Sequence, residues 1–282
     1  MHLKDSLGVT HLVLIDGGCE MLSDYDVIVR RFDTPIKIAC IADVHYGAIG
    51  HMGKEWKKFI QMVLKDPNLY LVIAGDLINN NLRSSVGSPW DDVVRPREQK
   101  AHMVEMLKEL AEAGRILCAL EGNHERRSQK DSDDFVMYDI MTKLDLEDVY
   151  RPNAAFMKLQ LGKRYGKSTK ANATYTFAVT HGCGGGQTGA AVNRNERWGA
   201  NIDGIDCVIS GHTHKGAVSK PMKMVFDPHN DKILFKQFVS VVCVPWQEYV
   251  DFPLQKMMNP STVAEPQFLY LSDKEKNIEV RW

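Results

Sequence analysis

Five apolar runs along the chain stop at the same kind of residue. IKIACIAD (36–43), LYLVIAGD (69–76), RILCALEGNHE (115–125), TYTFAVTHG (174–182) and DCVISGHTH (206–214) are aliphatic and β-branched, and each gives way to Asp, Asn or His. Runs of this length and composition predict strands covered on both faces. In an open α/β sheet the carboxyl ends of such strands share a crevice, where ligands bind. The pattern therefore predicts that Asp43, His45, Asp76, Asn123, His124, His181, His212 and His214 gather at one edge of the fold.

Between these runs the period changes. Trp56, Phe59, Ile60 and Val63 recur at helical spacing from Gly53 to Lys65, and Pro67 stops the segment. Pro96 opens a second helix whose stripe of Met103, Leu107 and Leu110 ends at Gly114. Phe135, Ile140, Met141 and Leu144 mark a third. Strand, helix and strand in alternation imply a largely parallel sheet. Upstream, residues 9–15 and 25–32 predict a hairpin turning at Asp16-Gly17-Gly18. Downstream of His214 the pattern is all β, with runs at 232–246, 267–272 and 278–282 that predict strands of a second sheet. Residues 79–95, directly after Asp76, read equally as a wall beside the crevice or as a solvated loop. No repeat or linker divides the chain, so one domain is expected: an N-terminal hairpin extension (1–35), a motif-bearing core (36–216) and C-terminal strands (217–282).

Composition narrows the partners. Thirty-five Lys and Arg stand against 36 Asp and Glu, a net charge of -1, so nothing steers the whole molecule toward polyanions. Contact with nucleic acid would need a local basic patch. No apolar run approaches the roughly 18 residues of a membrane span, so no membrane partner and a cytoplasmic location are expected. The six cysteines lack C-x-x-C spacing and read as small buried hydrophobes in a reducing compartment. Asn172-Ala173-Thr174 matches a glycosylation sequon but reads as a loop residue before a strand.

Singly, each polar motif is weak. Together and in order, D-x-H (Asp43, His45), G-D (Gly75, Asp76), G-N-H-E (Gly122 to Glu125), H-G (His181, Gly182) and G-H-T-H (Gly211 to His214) resemble the calcineurin-like metallophosphoesterase superfamily over residues 36–216. The resemblance implies an α/β fold, a four-layer αββα sandwich of two mixed β-sheets flanked by helices, and a two-metal site at the strand ends. It implies Asp43, His45 and His214 on one metal, Asn123, His181 and His212 on the other, and Asp76 bridging both. A carboxylate can hold two cations about 3.5 to 4 Å apart, and the pair acidifies a shared water for in-line attack at phosphorus. Neutral imidazoles and one carboxamide keep the site's negative charge low. Such oxygen and nitrogen donors suit manganese, the expected metal, and also accept iron, zinc or nickel. His124, beside Asn123 but assigned to no metal, is the expected general acid or leaving-group stabiliser. Glu125 either orients His124 or caps a turn.

Further signals rank lower. Arg126 and Arg127, next to His124, are the expected substrate-binding cations. Gly184 to Gly189 formally satisfies G-x-G-x-x-G but lies late in the chain between metal motifs, so a loop at the crevice mouth is expected instead of a dinucleotide site. Arg194, Arg197 and Trp198 read as a helix packed on the core ahead of a stacking surface. Lys163, Arg164, Tyr165, Lys167 and Lys170 read as a solvated hairpin ahead of a phosphate-tracking patch. The Ser/Thr protein phosphatase branch carries G-D-x-V-D-R-G, whereas this chain has Gly75-Asp76-Leu77-Ile78-Asn79-Asn80. The wording is closer to the phosphodiesterase and nuclease branches, so the expected substrate is a phosphodiester of nucleic acid or a nucleotide. A phosphomonoesterase, and after it a scaffold without catalysis, are the alternatives.

Overall fold

The computed structural model describes residues 2–4, 10–12, 24–90, 92–163, 172–184, 189–250 and 252–282. In chain order its first elements are β1 (His2–Lys4), β2 (Thr10–Leu12), β3 (Ile28–Phe32), β4 (Ile36–Ile41), α1 (Gly53–Lys65), β5 (Leu69–Ile73), α2 (Pro96–Glu112) and β6 (Ile116–Leu120). There follow α3 (Glu125–Ser132), α4 (Val136–Thr142), β7 (Tyr150–Arg151), β8 (Ala154–Leu161), β9 (Ala173–Thr180), α5 (Gly189–Ala200) and β10 (Cys207–Ser210). The chain ends through β11 (Ala217–Ser219), β12 (Met222–Asp227), β13 (Lys232–Gln237), β14 (Val239–Val242), α6 (Phe252–Gln255), β15 (Phe268–Leu271) and β16 (Ile278–Arg281).

Two six-stranded mixed sheets carry the fold. One runs β16-β15-β4-β5-β6-β7 and the other β11-β14-β10-β9-β8-β3. The five motif runs are thus split: β4, β5 and β6 lie parallel in the first sheet, β9 and β10 parallel in the second. One hydrophobic cluster spans both sheets, including Ile38, Leu71 and Ala119 from the first and Leu159, Tyr175 and Val179 from the second. Helix α1 packs on β5 and α2 on α4, while α5 covers β10 and β14. This is the helix, sheet, sheet, helix sandwich that the resemblance implied.

The helical stripes are buried as their periodicity requires. Trp56, Phe59, Ile60 and Val63 of α1 face the core, as do Met103, Leu107 and Leu110 of α2. Gly114 takes φ +63 just beyond α2, a left-handed stop that costs glycine little. In α4 the buried face is Val136, Met137, Ile140 and Met141, with Phe135 at the cap and Leu144 past the end. Trp198 of α5 is partly buried against Ala178, Val208 and Phe238, so the core-packed reading of that residue holds.

Two pairings differ from expectation. Among the described residues, 25–32 do not pair back on Thr10–Leu12: β2 pairs antiparallel with β1, while β3 joins the second sheet in parallel with β8. Local turn signals suggest a hairpin, but β3 gains a long ladder against an eight-residue strand, a non-local contact that turn chemistry does not report. The C-terminal strands also divide. β14 extends the second sheet beside β10, whereas β15 pairs antiparallel with β4 and carries β16 onto the first sheet. The single run at 232–246 breaks at Phe238: β13 pairs only with β12, in a ribbon outside both large sheets. Residues 164–171 and 185–188, with most of the basic segment and the middle of the glycine run, lie outside the described residues.

Cys40, Cys118, Cys207 and Cys243 are buried and unpaired, in keeping with small hydrophobes, and burial pushes the Cys118 thiol up to about 12. Cys183, just after His181, is exposed. No described helix is long and apolar enough to cross a membrane.

Candidate metal centre

Four of the five motifs leave their strands through a left-handed turn; the G-N-H-E motif after β6 does not. Asp43, His45, Asp76, His212 and His214 all have φ between +47 and +72, and Gly75 and Gly182 both sit at +91. Non-glycine residues rarely adopt this region, and Asp, Asn and His tolerate it best. Backbone held there at a cost of roughly 1–3 kcal/mol per residue persists only where the surroundings enforce it, and such residues concentrate at functional sites. Here the turns stop the ladder and throw the polar side chains off the strand ends.

Hydrogen bonds weld the turns together. Asp43 N donates to Gly75 O at 3.1 Å and His45 N to Asp76 O at 3.0 Å, so the first two motif loops run side by side. The second sheet is tied in by Asp43, whose carboxylate accepts His212 N at 2.8 Å and whose carbonyl accepts Trp246 N at 2.9 Å. Trp246 is held edge-on to Trp56, with ring centroids 5.0 Å apart, and 5.0 Å from Phe59. Aromatic pairs of this kind add about 0.5–1.5 kcal/mol each beyond their buried area. The apolar face of α1 therefore helps place Asp43.

The donor atoms converge on Asp76. Its Oδ2 lies 3.3 Å from His181 Nε2, 3.8 Å from His124 Nε2 and 3.9 Å from His45 Nε2, and the residue is almost fully buried. On one side Asp43 Oδ1 stands 3.5 Å from His214 Nε2, and the Nε2 atoms of His45 and His214 are 2.9 Å apart. On the other, Asn123 Oδ1 is 2.9 Å from His181 Nε2 and 2.7 Å from His212 Nδ1. Three groups have donor atoms all within 4.8 Å of one another: Asp43, His45 and His214; Asp76, His181 and His212; and His45, Asp76 and His124. The structure brings together all eight strand-end residues singled out by their sequence pattern.

The arrangement fits divalent cations. His181 Nδ1 donates to Ala74 O at 2.7 Å, so Nε2 is the atom that faces Asp76 and Asn123. A ring N–H held by a carbonyl is the usual orienting contact of a metal-binding imidazole. Two facing Nε2 atoms at 2.9 Å need a shared proton or cation to offset lone-pair repulsion. Protonation follows the same logic. Burial lowers His181, but Asp76 overrides it and holds the ring up at about 10. Burial raises Asp76, yet His181, His124 and His45 keep it well below the usual carboxylate range. Burial and the neighbouring rings of His124 and His214 hold His45 well below the ordinary imidazole range. A site in which one carboxylate and several imidazoles share too few protons is one that cations complete.

Glu125 caps; it does not orient His124. Its carboxylate accepts the backbone N–H groups of Asp76 (3.0 Å), Ile78 (3.1 Å) and Gly122 (2.9 Å), joining the second and third motif loops. Burial and the charge of Asp76 push it up to about 7, against the pull of those donors. Gly122 packs so closely that a Cβ there would stand 1.9 Å from Asp76 Oδ1.

The two arginines part company. Arg127 reaches into the cleft, where Nη1 donates to Asn79 O at 3.0 Å and Asn81 Oδ1 at 2.8 Å, and Nη2 to His124 Nε2 at 2.8 Å. Arg126 turns away, donating to Pro152 O and to Asn153 Oδ1 at 3.0 Å, with Nε 3.6 Å from Glu121. As neighbours on α3 they point about 100° apart, and only one side chain can face the cleft. Of the two expected substrate-binding cations, the structure brings Arg127 but not Arg126 to the cleft.

Sequence reasoning passed over the support beneath Arg127. Buried Asp92 accepts Asn79 Nδ2 (2.7 Å), Asn81 Nδ2 (2.8 Å) and Gln99 Nε2 (2.8 Å), so these residues are fixed, while Val86, Trp90 and Val93 are exposed. With Gln247, Gln255 and Lys256 the 79–95 segment walls a cavity of about 340 Å³ over His45, His124 and His214. Asn79, Asn80 and Asn81 are all buried, but asparagines are ordinary turn residues, so the run did not announce this support in the sequence.

Comparison with known proteins agrees with this geometry. The calcineurin-like phosphoesterase family model matches residues 36–216. No curated protein matches the chain. Similar solved structures include an uncharacterised protein of Streptococcus pneumoniae described as a predicted phosphoesterase, with 10% identity, 88% of this chain and 98% of that chain covered, and a TM-score of 0.33. Another is the calcineurin-like phosphoesterase YfkN of Bacillus subtilis, with 13% identity, 87% and 88% covered, and a TM-score of 0.40. On the family match, which spans every motif described above, this chain belongs to the calcineurin-like phosphoesterases, the metal-dependent hydrolases of phosphoesters.

Proposed function

We propose that the protein is a two-metal phosphodiesterase acting on nucleic acid or a nucleotide. One observation carries the two-metal part: Asp76 stands between two donor groups, Asp43, His45 and His214 on one side and Asn123, His181 and His212 on the other. Bound there, two divalent cations, of which manganese is the expected one, supply Lewis acidity at phosphorus and an activated water for in-line attack. Every other role belongs to the chain. Asp76 holds the two halves at fixed separation and Asn123, exposed at the cleft floor, adds a neutral oxygen donor that leaves the site's positive charge uncancelled.

On the leaving side, Arg127 and His124 act as one unit. His124 Nδ1 donates to Asn79 O at 2.6 Å, so Nε2 is the atom presented to the cleft, and Arg127 donates to it. A phosphodiester entering the cleft offers oxygens that compete for that guanidinium; released from it, His124 Nε2 can take a proton from solvent and pass it to the departing oxygen. Preference for a diester is supported by Arg127 in the cleft and by a cavity lined by Asn81, Ser88 and Asp92 and by Gln247, Gln255 and Lys256, which can take groups on the ester oxygens.

The test is an activity panel on chelator-stripped protein reloaded with one metal at a time. Hydrolysis of bis(p-nitrophenyl) phosphate or single-stranded DNA with two manganese ions per chain, abolished in Asp76→Asn, is expected. Hydrolysis confined to p-nitrophenyl phosphate would make the protein a monoesterase, and a single bound ion at full activity would rule out the bridged pair.

A further inference from the structure

The ribbon of β12 and β13 presents to solvent a face that is apolar but for Gln237 at one end. Its register pairs Met222 with Gln237, Met224 with Phe235 and Phe226 with Ile233, and directly opposed residues of an antiparallel pair share a face. On that face Met224 is 73% exposed, Phe235 66%, Phe226 64%, Met222 60% and Ile233 51%. The other face carries Lys223 against Lys236, Val225 against Leu234 and Asp227 against Lys232. Lys223 reaches Ile202 O at 2.9 Å and Asp203 Oδ1 at 3.0 Å, so the charged face is the one turned to the body of the molecule. The ordinary solution, apolar side in and charged side out, is inverted.

We propose that this face is a self-association surface, covered by the same face of a second copy of this chain in a two-fold dimer. A two-stranded ribbon alone is marginal in water and needs a further layer on its apolar side. The ribbon belongs to neither large sheet, so the described body of the chain does not supply that layer. Five side chains of this size, more than half exposed, would remove about 500 Å² per copy, or about 1,000 Å² for the pair, which reaches the lower bound of a specific interface. Charge selects the occupant. The face holds no ionisable group, so two copies meet on it without like charges opposed, as an isologous contact requires. A phosphate backbone would need cations on that face, and the lysines stand behind it. A lipid surface would be met by cations at its rim, which the same lysines are not placed to be.

The contact leaves the metal centre open. Lys223 and Lys236 border a cavity with Gly204, Asp206 and Val239, at the starting ends of β10 and β14, whereas His212 follows the finishing end of β10. Hydrolysis per chain is therefore independent of association, and activity reports the integrity of the fold.

Sedimentation of the full chain across a dilution series is expected to show a reversible dimer. Met224→Ser with Phe235→Ser is expected to sediment as a monomer while hydrolysing bis(p-nitrophenyl) phosphate at the parental rate. Should that variant fail to fold, hydrogen exchange on the parental chain decides, since amides in 222–237 should gain protection as concentration rises. A parental chain that stays monomeric, a dimer unmoved by the double substitution, exchange in 222–237 independent of concentration, or a monomer that binds phosphatidylglycerol vesicles through this face would each overturn the proposal.

Discussion

Arg127 Nη2 lies 2.8 Å from His124 Nε2, and the opposite nitrogen of the same ring is 2.6 Å from Asn79 O. An arginine can only donate and a carbonyl can only accept, so the ring is neutral with its proton on Nδ1. Burial lowers His124 to about 4, against the pull of Asp76 and with help from Arg127. The standing cation beside the cleft is thus the guanidinium, and the imidazole is its acceptor until a substrate intervenes.

That dependence predicts non-additive losses. His124→Ala and Arg127→Ala are each expected to lower kcat/KM for a diester by about 10²–10³-fold, the range for losing one positioned acid or charge stabiliser. The double variant is expected to fall little below the poorer single one, because each removal already disables the other. Steady-state kinetics with metal content matched across the four proteins checks this. Multiplying losses would mean that the two side chains act separately.

A second expectation concerns protons and metal. His181 in the metal-free fold sits at about 10, above the ordinary 6.5, so the folded chain keeps a proton between those values that the unfolded chain releases. Its contribution to metal-free stability is full below 6.5 and fades as pH rises toward 10. A metal must displace that proton, so apparent affinity should climb with pH through the same window, by up to about tenfold per unit. Calorimetry in buffers of different ionisation enthalpy at pH 8 should register about one proton released from His181 per chain. Affinity flat from pH 7 to 9 would place the proton elsewhere.

Glu125 offers a contrast, since it touches no candidate metal donor atom yet holds the loops that carry two of them. Glu125→Gln turns an NH₂ toward backbone N–H groups of Asp76 and Gly122 or of Ile78, leaving buried donors unmet. A loss of about 1–3 kcal/mol in metal-free stability is expected, with metal affinity down about 10–100-fold. Chemical denaturation with and without manganese separates the two effects. Unchanged affinity would reduce Glu125 to a fold residue.

Much of this was legible because it is local. Strand identity, the helical stripes at Trp56 and Met103, and the polar stops of five runs follow from period and from which residues tolerate a left-handed turn. The metal roles came through resemblance, and the geometry then placed those residues together. What the sequence hid depends on partners distant along the chain. Nothing near Arg126 or Arg127 tells which faces the cleft, because that is set by Asn81 and Asp92 on one side and Pro152 on the other. Nor does residue 268 announce that it will pair with Ala39 instead of extending the second sheet. The run at 232–246 reads as one strand of a second sheet, since sequence does not say that its first half pairs with 222–227 instead or which face meets water.

The sharpest prediction concerns a missing side chain. At Gly122 a Cβ would meet Asp76 Oδ1 at 1.9 Å and Asp76 N at 2.4 Å, and the second contact is backbone that cannot swing aside. Gly122→Ala must therefore displace the Asp76 turn, which already sits at φ +56 and shares Glu125 with Gly122. Because the clash lies beyond the ends of β5 and β6, their ladder and the core beneath it should survive. The expected protein is folded by circular dichroism, with manganese occupancy and hydrolysis lost together. Retained occupancy with lost hydrolysis would show that Asp76 tolerates the shift as a ligand and that the cleft, not the metal pair, is what Gly122 protects.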